Sequence, residues 1–336
     1  MPETVPISEY SAVREGGAGL VDLSSRGRIL VSGSEAALFL NGLITNDIKT
    51  LALNSWMTAA FANVQGRLLA AVRIAHREDG FLIDTDHATR ETIITLLDKF
   101  TMAGDFRLQD LTDETAMLSV QGSSAPEILS RVFGEEAARV KRQKTANVRF
   151  DDATVNVVRA THTAEDGFDL FVDAQNSSKL GDALTASGAV PISNATFEAL
   201  RIEAGVPLYG IDMDENNVVT ETNLDDAVSF TKGCYLGQEI IIRIKHRGHV
   251  AKKLTGLVLT DSTTVPRNSK IISSEGKEIG RVTSSTFSPR LGHAIALGYL
   301  KYDYLAAGTE VKVAAPESET SATVADLPFV RGSWYE

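Results

Sequence analysis

The sequence predicts an α+β protein that ends in an all-β domain, and three observations carry that prediction. Strand-like and helix-like patterns alternate from the N-terminus to about residue 249. Beyond His249 the helical periodicity stops, and short β-type runs follow one another with Gly, Pro, Ser and Asn between them. The 336 residues, 43% of them hydrophobic, suffice for two or three domains at roughly 150 residues each. The boundary is expected near 250, with a larger region over 1–249 and a β-barrel over 250–336.

Each element has its own signal. Arg28-Ile29-Leu30-Val31 reads as a strand, and Ser32 with Glu35 three residues later reads as a capping box. A helix carrying Leu38, Phe39, Leu43 and Ile44 on its buried side is expected to follow. Strands are expected at Trp56–Ala62, Leu68–Ala75 and Phe81–Thr85, then a helix over His87–Phe100 with Ile93, Leu96, Leu97 and Phe100 three or four apart. Ala116–Val120, Thr154–Ala160 and Phe168–Val172 are further strands, and Ser124-Ala125-Pro126 is a helix start, since proline fits the first turn. A helix over Asn194–Ala204, stopped by Gly205, delivers Glu203 to its last turn. An acid is unfavourable there with the helix dipole, so another interaction must hold it. The barrel strands are expected at Leu254–Leu259, Lys270–Ser273, Glu278–Thr283, Ala294–Tyr299 and Thr309–Val313.

Composition excludes several function classes. No apolar run approaches the ~18 residues of a membrane span, and the first residues lack the features of a secretory signal. A single cysteine suits a reducing compartment, so a cytoplasmic protein is expected. A net charge of −11 argues against direct nucleic-acid binding. That charge is unevenly placed: Glu203–Asp226 holds seven acids and no Lys or Arg, whereas Lys232–Lys253 holds six bases against one acid. Two solvated faces of opposite sign would explain this equally well.

The single cysteine lies between these runs, in Lys232-Gly233-Cys234-Tyr235-Leu236-Gly237-Gln238-Glu239. A thiol becomes a nucleophile when nearby cations lower its pKa. Lys232 and the basic stretch Arg243–Lys253 supply such cations, and Gln238 and Glu239 can hydrogen-bond a polar ring. The alternative is a small buried hydrophobe. His246 and His249 do not complete a metal site with one cysteine, because zinc takes four spaced ligands.

Arg201-Ile202-Glu203-Ala204-Gly205, Leu208-Tyr209-Gly210, Asn223-Leu224-Asp225, Lys232–Glu239 and Arg247-Gly248-His249, taken in order, resemble the YgfZ-like folate-binding proteins. These are a branch of the superfamily containing the glycine cleavage T-protein (aminomethyltransferase). The resemblance extends to Val21–Arg28, Phe39–Asp47, Gly280–Ser284 and Ser288-Pro289, nearly the whole chain. It implies a cloverleaf of two interleaved α+β lobes plus the C-terminal barrel, around a central hole that binds tetrahydrofolate or a one-carbon derivative of it. It also implies a role in assembling or repairing iron–sulfur enzymes, among them enzymes that modify tRNA, with iron–sulfur client or assembly proteins as partners.

Carried onto this chain, the resemblance implies Cys234 with Lys232 as the reactive pair. Glu203 would read the pterin ring and Tyr209 would stack on it, with Gln238, Arg243 and Lys252 as further folate contacts. Glu203 paired to a base and Tyr209 in the core are the competing readings. The alternative function is a tetrahydrofolate-dependent aminomethyltransferase or demethylase acting on a small amine; a third is a non-catalytic adaptor. Against the enzyme stands Gly66-Arg67-Leu68-Leu69-Ala70-Ala71, where T-proteins carry an acidic pair. Alanine can move no proton. Asp84 or Asp86 could take over that task.

Overall fold

The structure is a computed structural model that describes residues 5–316 and 318–336. It contains two open sheets and one closed barrel. The first sheet has six strands in the order Val190–Pro191, Gly19–Asp22, Thr115–Gln121, Gly167–Asp173, Ala153–Arg159 and Thr145–Phe150. The second has five, in the order Ser55–Ala62, Leu68–Arg77, Gly80–Thr85, Gly27–Ser32 and Arg107–Asp110. The chain starts in the first sheet, builds the whole of the second, and returns to the first. The two α+β lobes are therefore interleaved, as expected.

Hydrophobic periodicity accounts for the layering. The first sheet buries Val120, Val155, Val157, Phe168 and Leu170 against Ile128, Leu129, Leu180 and Leu184 of the helices Ala125–Phe133 and Ser177–Ala186. The second buries Ile29, Val31, Val72, Ile74 and Ile83 against Leu40, Leu43, Ile93 and Leu97. Each such side chain contributes about 1.5–3 kcal/mol when fully buried. A third cluster, including Trp56, Leu82, Met117, Val158 and Phe171, joins the lobes.

The barrel runs from Lys252–Leu259 through Lys270–Ser273, Glu278–Ser288, His293–Lys301 and Glu310–Ala315 to Ser318–Ala325. Leu254, Ile295, Leu297 and Tyr299 on its outer face pack on Ile202 of the helix Asn194–Glu203. That helix thus sits between the barrel and the lobes.

Two local expectations fail for identifiable reasons. Ser32 and Glu35 form no capping box. Glu35 Oε2 accepts from the backbone N–H of Asp105 (2.8 Å), and the Ser34 hydroxyl donates to Asp105 Oδ2 (2.9 Å), so a tertiary contact replaces the local one. In the helix Ala36–Leu43, Leu38 is exposed and Leu40 is buried, which rotates the inner face from the one expected. The segment after Cys234, unassigned from sequence, is a helix over Gln238–Arg247. No helix among the described residues is long and apolar enough to cross a membrane.

Candidate functional site

A cavity of about 160 Å³ opens where the lobes meet the segment joining the long helix to the cysteine motif. Its walls are mostly apolar, with Leu23, Ala59, Phe197, Leu208, Met213 and Leu224 among them. Its polar groups are Arg26, Thr58, Arg73, Asp86, His162 and Arg201.

Strand register explains how the polar groups meet. Antiparallel pairing sets Gly27 opposite Thr85, so Arg26 emerges beside Asp86. Asp84 and Asp86, two apart, project on one side at the strand end and clamp the guanidinium: Nε donates to Asp84 Oδ1 at 2.7 Å and Nη1 to Asp86 Oδ1 at 2.6 Å. Burial alone would lower the Arg26 pKa, but Asp84 and Asp86 more than offset it and the shift is upward. The next strand pair sets Val72 opposite Thr85 and Arg73 opposite Asp84, which brings Ala71 level with Asp86. Ala71 and Arg73 share the cavity face of their strand, whereas Ala70 points into the core. The acid missing at Ala71 therefore has a carboxylate as its cross-strand neighbour. Asp86 Oδ2 is engaged only at long range, by the backbone N–H of Tyr209 at 3.4 Å.

Arg73 reaches from the cavity face of its strand to His162, which comes from the loop before Gly167–Asp173. His162 Nε2 lies 3.0 and 3.1 Å from the two oxygens of Asp169, and Arg73 donates to Asp169 Oδ2 at 2.9 Å. Burial is the main force lowering the imidazole pKa, and the Arg73 charge adds to it. Burial opposes ionisation of Asp169, but His162, Arg73 and Ser119 hold its carboxyl below the usual range. Arg26, Arg73, His162 and Phe197 were not singled out from sequence. The one usable signal was Arg73, two residues beyond Ala71 and hence on its face.

None of the seven residues expected to form the site lines this cavity. Glu203 is fully buried and its carboxylate is saturated. It accepts from Tyr10 Oη at 2.7 Å, from Arg14 Nη2 at 2.8 Å and from the Ser288 hydroxyl. This is the interaction its unfavourable helix position required, and it joins the N-terminal helix Ile7–Arg14 to the barrel. Tyr209 packs with the cluster of Ala60, Leu68, Val219 and Tyr235, which raises its pKa by burial; its neighbour Leu208 faces the cavity instead.

Lys232 is 7% exposed and spends all three ammonium protons on carbonyls at the end of the helix Ala36–Leu43. Its Nζ donates to Asn41 O (2.7 Å), Ile44 O (2.9 Å) and Asn46 O (2.7 Å). That is a helix C-terminal clamp, where a cation is favoured. Burial pulls its pKa down to about 8, partly opposed by Asp47. Cys234 is exposed. Gln238 Nε2 reaches only the carbonyls of Lys232 and Gly233, at 3.4 Å. Arg243 pairs with Glu239 at 2.6 Å, one helical turn away.

Lys252 lies 5.1 Å from the Tyr299 ring and 3.9 Å from Glu221, beside a separate depression on the barrel. With Lys253 3.1 Å from Asp225, the two oppositely charged runs partly meet each other. Glu203 and Cys234, expected to face one space, share no opening: one is sealed and the other lies on the surface.

One of the motif's glycines has a definite task. Gly237 (φ 81°) caps the helix Gln238–Arg247, and a Cβ there would come within 2.4 Å of Asn63 O. Gly66 (φ 70°) lies against the same point, so the two turns interlock only without side chains.

Two family models match the chain. The GCVT N-terminal domain covers residues 3–232, and the glycine cleavage T-protein C-terminal barrel domain covers 252–331. The aminomethyltransferase of Geobacillus kaustophilus is 32% identical over 330 residues, 96% of this chain and 90% of that protein. That of Thermotoga neapolitana is 31% identical over 334 residues, 97% and 89%. The crystal structure of glycine cleavage system aminomethyltransferase T from Bartonella henselae superposes with a TM-score of 0.87. At 23% identity, over 98% of this chain and 92% of that one, it shows a common fold. These findings correct the expected role in iron–sulfur enzyme assembly. Near-full-length relatives are named aminomethyltransferase, and neither iron–sulfur clients nor tRNA modification has support among them.

Proposed function

The chain belongs to the glycine cleavage T-protein family, and from that membership we propose that it transfers a one-carbon unit between a small amine and tetrahydrofolate in the central cavity. Aminomethyltransferases of this family use tetrahydrofolate, in line with the ligand expected from the sequence. When bound, it supplies the acceptor for the one-carbon unit. By sequence alone, the Lys232–Glu239 string keeps the chain's resemblance to the YgfZ-like branch of the superfamily.

The observation that carries the reading is the carboxylate of Asp86 beside Ala71, inside an apolar cavity that is otherwise of the right make-up. Ligand pockets are mostly apolar with a few placed polar groups. At about 160 Å³ the cavity is smaller than the roughly 300–1,000 Å³ that encloses a whole drug-sized ligand. It suits the flat head of an elongated molecule whose tail lies outside. Phe197 and Leu208 supply surface for a ring, and Asp86 Oδ2 is free to accept from ring N–H groups. Arg26 fixes the Asp86 side chain, so the acceptor is oriented before a ligand arrives.

The test mixes the protein with tetrahydrofolate and a panel of aminomethyl donors, whose carbon already stands at the oxidation level of a methylene group, and follows methylenetetrahydrofolate. Its formation, lost in Asp86→Asn, is expected. Tight tetrahydrofolate binding with no product from any amine would leave a binding protein and end the transfer reading.

A further inference from the structure

The chain lacks an acid at Ala70 and Ala71, yet amine chemistry needs a group that takes a proton. Histidine is the side chain whose ordinary pKa lies near neutrality, and among the described residues His162 is the one histidine in the cavity wall. Its two ring nitrogens are in different situations. Nε2 faces the Asp169 carboxylate at 3.0 and 3.1 Å. Asp169 is itself anchored by the Ser119 hydroxyl at 2.7 Å and by Arg73 at 2.9 Å. Among the described residues Nδ1 has no hydrogen-bond partner, and the ring lines the central cavity. Arg73 Nη1 also lies 3.1 Å from Nε2 and, as a donor, favours the other tautomer, but the carboxylate presents both oxygens to Nε2 and is the stronger partner. It holds the proton there and leaves Nδ1 with a lone pair, the logic of a His–Asp couple.

Resting on the transfer reading above, we propose that His162, oriented by Asp169, is the proton acceptor of the central cavity, taking a proton through Nδ1 from the ammonium form of the amine substrate. The N–H bond of the ammonium breaks and its electron pair stays on the amine nitrogen, now free to react. The Nδ1–H bond forms, and the resulting imidazolium keeps its Nε2–H against Asp169, whose negative charge offsets the new positive one. No oxidant or further reactant is needed. Asp169 is a positioning residue, since it reaches the amine only through the ring.

The charged groups around the imidazole set its resting state. Arg73 lies 3.1 Å from Nε2, Asp169 faces it, and Arg26 acts at longer range. Asp86 and Arg201 complete the charges in the cavity wall. Burial and the two arginines lower the imidazole pKa against the pull of Asp169, which favours the neutral ring that an acceptor must be. The imidazole thus stands where the protein can dispense with the acid expected at Ala71.

The experiment is nitrogen NMR of the histidine-labelled protein, with the His162 signals assigned from His162→Gln. Methylammonium is the amine probe, added with and without tetrahydrofolate. The inference predicts a protonated Nε2 and an unprotonated Nδ1 at pH 7.5, and a saturable shift of Nδ1 alone on adding methylammonium. In Asp169→Asn the tautomers should mix and the apparent affinity for methylammonium should fall about tenfold. A proton on Nδ1 in the wild type, or no Nδ1 response to methylammonium in either condition, overturns it. Calorimetry on the same samples reports tetrahydrofolate binding separately. Failure to bind would sink the transfer reading, while the ring's tautomer and response would still judge His162.

Discussion

The cysteine motif and the central cavity are both functional candidates, and they are built in opposite ways. The motif is one contiguous string, conspicuous in sequence. In the structure its lysine is consumed by three carbonyls, its Gly237 interlocks with another turn, and its thiol is on the surface. The cavity draws Arg26, Arg73, Asp86, His162 and Phe197 from five separate segments, none conspicuous alone, and brings their chemistry to one space. A signature string can thus report the conditions for building a site, while the site itself is assembled by strand register.

Removing Lys232 should separate the two regions most sharply. Lys232→Met leaves three carbonyls, one buried and two partly buried, without their donor, so a loss of about 3 kcal/mol is expected from urea unfolding. A loss below about 0.5 kcal/mol would show that the clamp carries no stability and would return Lys232 to the list of chemical candidates. The cavity counterpart is Asp86→Asn. A hydrogen bond to a charged acceptor is worth about 1.5–3 kcal/mol, so tetrahydrofolate affinity measured by calorimetry should fall roughly 10- to 100-fold with the fold unchanged.

A smaller effect tests the His162 environment. Its pKa is lowered from 6.5, so between the two values the unfolded chain binds more protons than the native one, and stability rises with pH. The contribution is full above about 6.5 and is lost as pH falls through the folded value. Glu221, whose pKa is raised mainly by burial, acts in the opposite sense but is common to both proteins. The urea midpoint of wild type should therefore drop more than that of His162→Gln on going from pH 7.5 to 5.5. Equal drops would contradict the buried, neutral imidazole. Least of all should change in Cys234→Ala: an exposed thiol without a partner predicts stability within about 0.5 kcal/mol and unaltered tetrahydrofolate binding.

Much of the fold was legible in the sequence because it rests on local periodicity. Five of the six barrel strands, the helix Asn194–Glu203 and the strands Leu68–Arg77 and Gly167–Asp173 follow from alternation and turn residues, whereas the barrel strand Ser318–Ala325 was not anticipated. The need for a partner at Glu203 was legible from the helix dipole alone. Where tertiary contacts overruled local ones the reading failed, as at Ser32–Glu35, where the backbone N–H of Asp105 takes the Glu35 carboxylate that would have closed the capping box. The helix Gln238–Arg247 was hidden because it buries only Ile241 and so lacks an apolar stripe. The cavity was legible in part, as the acid expected at Ala70 and Ala71 and as Asp84 or Asp86 in its place. That Asp86 stands across the strand pair from Ala71 was not, because register is not written in any single segment.

The location of the folate site can be tested in one measurement, calorimetry of tetrahydrofolate on wild type, Ala71→Phe and Cys234→Ala. Ala71 lies in the cavity wall, where a phenyl ring would fill the space, whereas Cys234 does not line the cavity. Binding by wild type and Cys234→Ala, with none by a folded Ala71→Phe, is the predicted result. Binding that survives in Ala71→Phe and is lost in Cys234→Ala would contradict it and move the ligand to the surface motif.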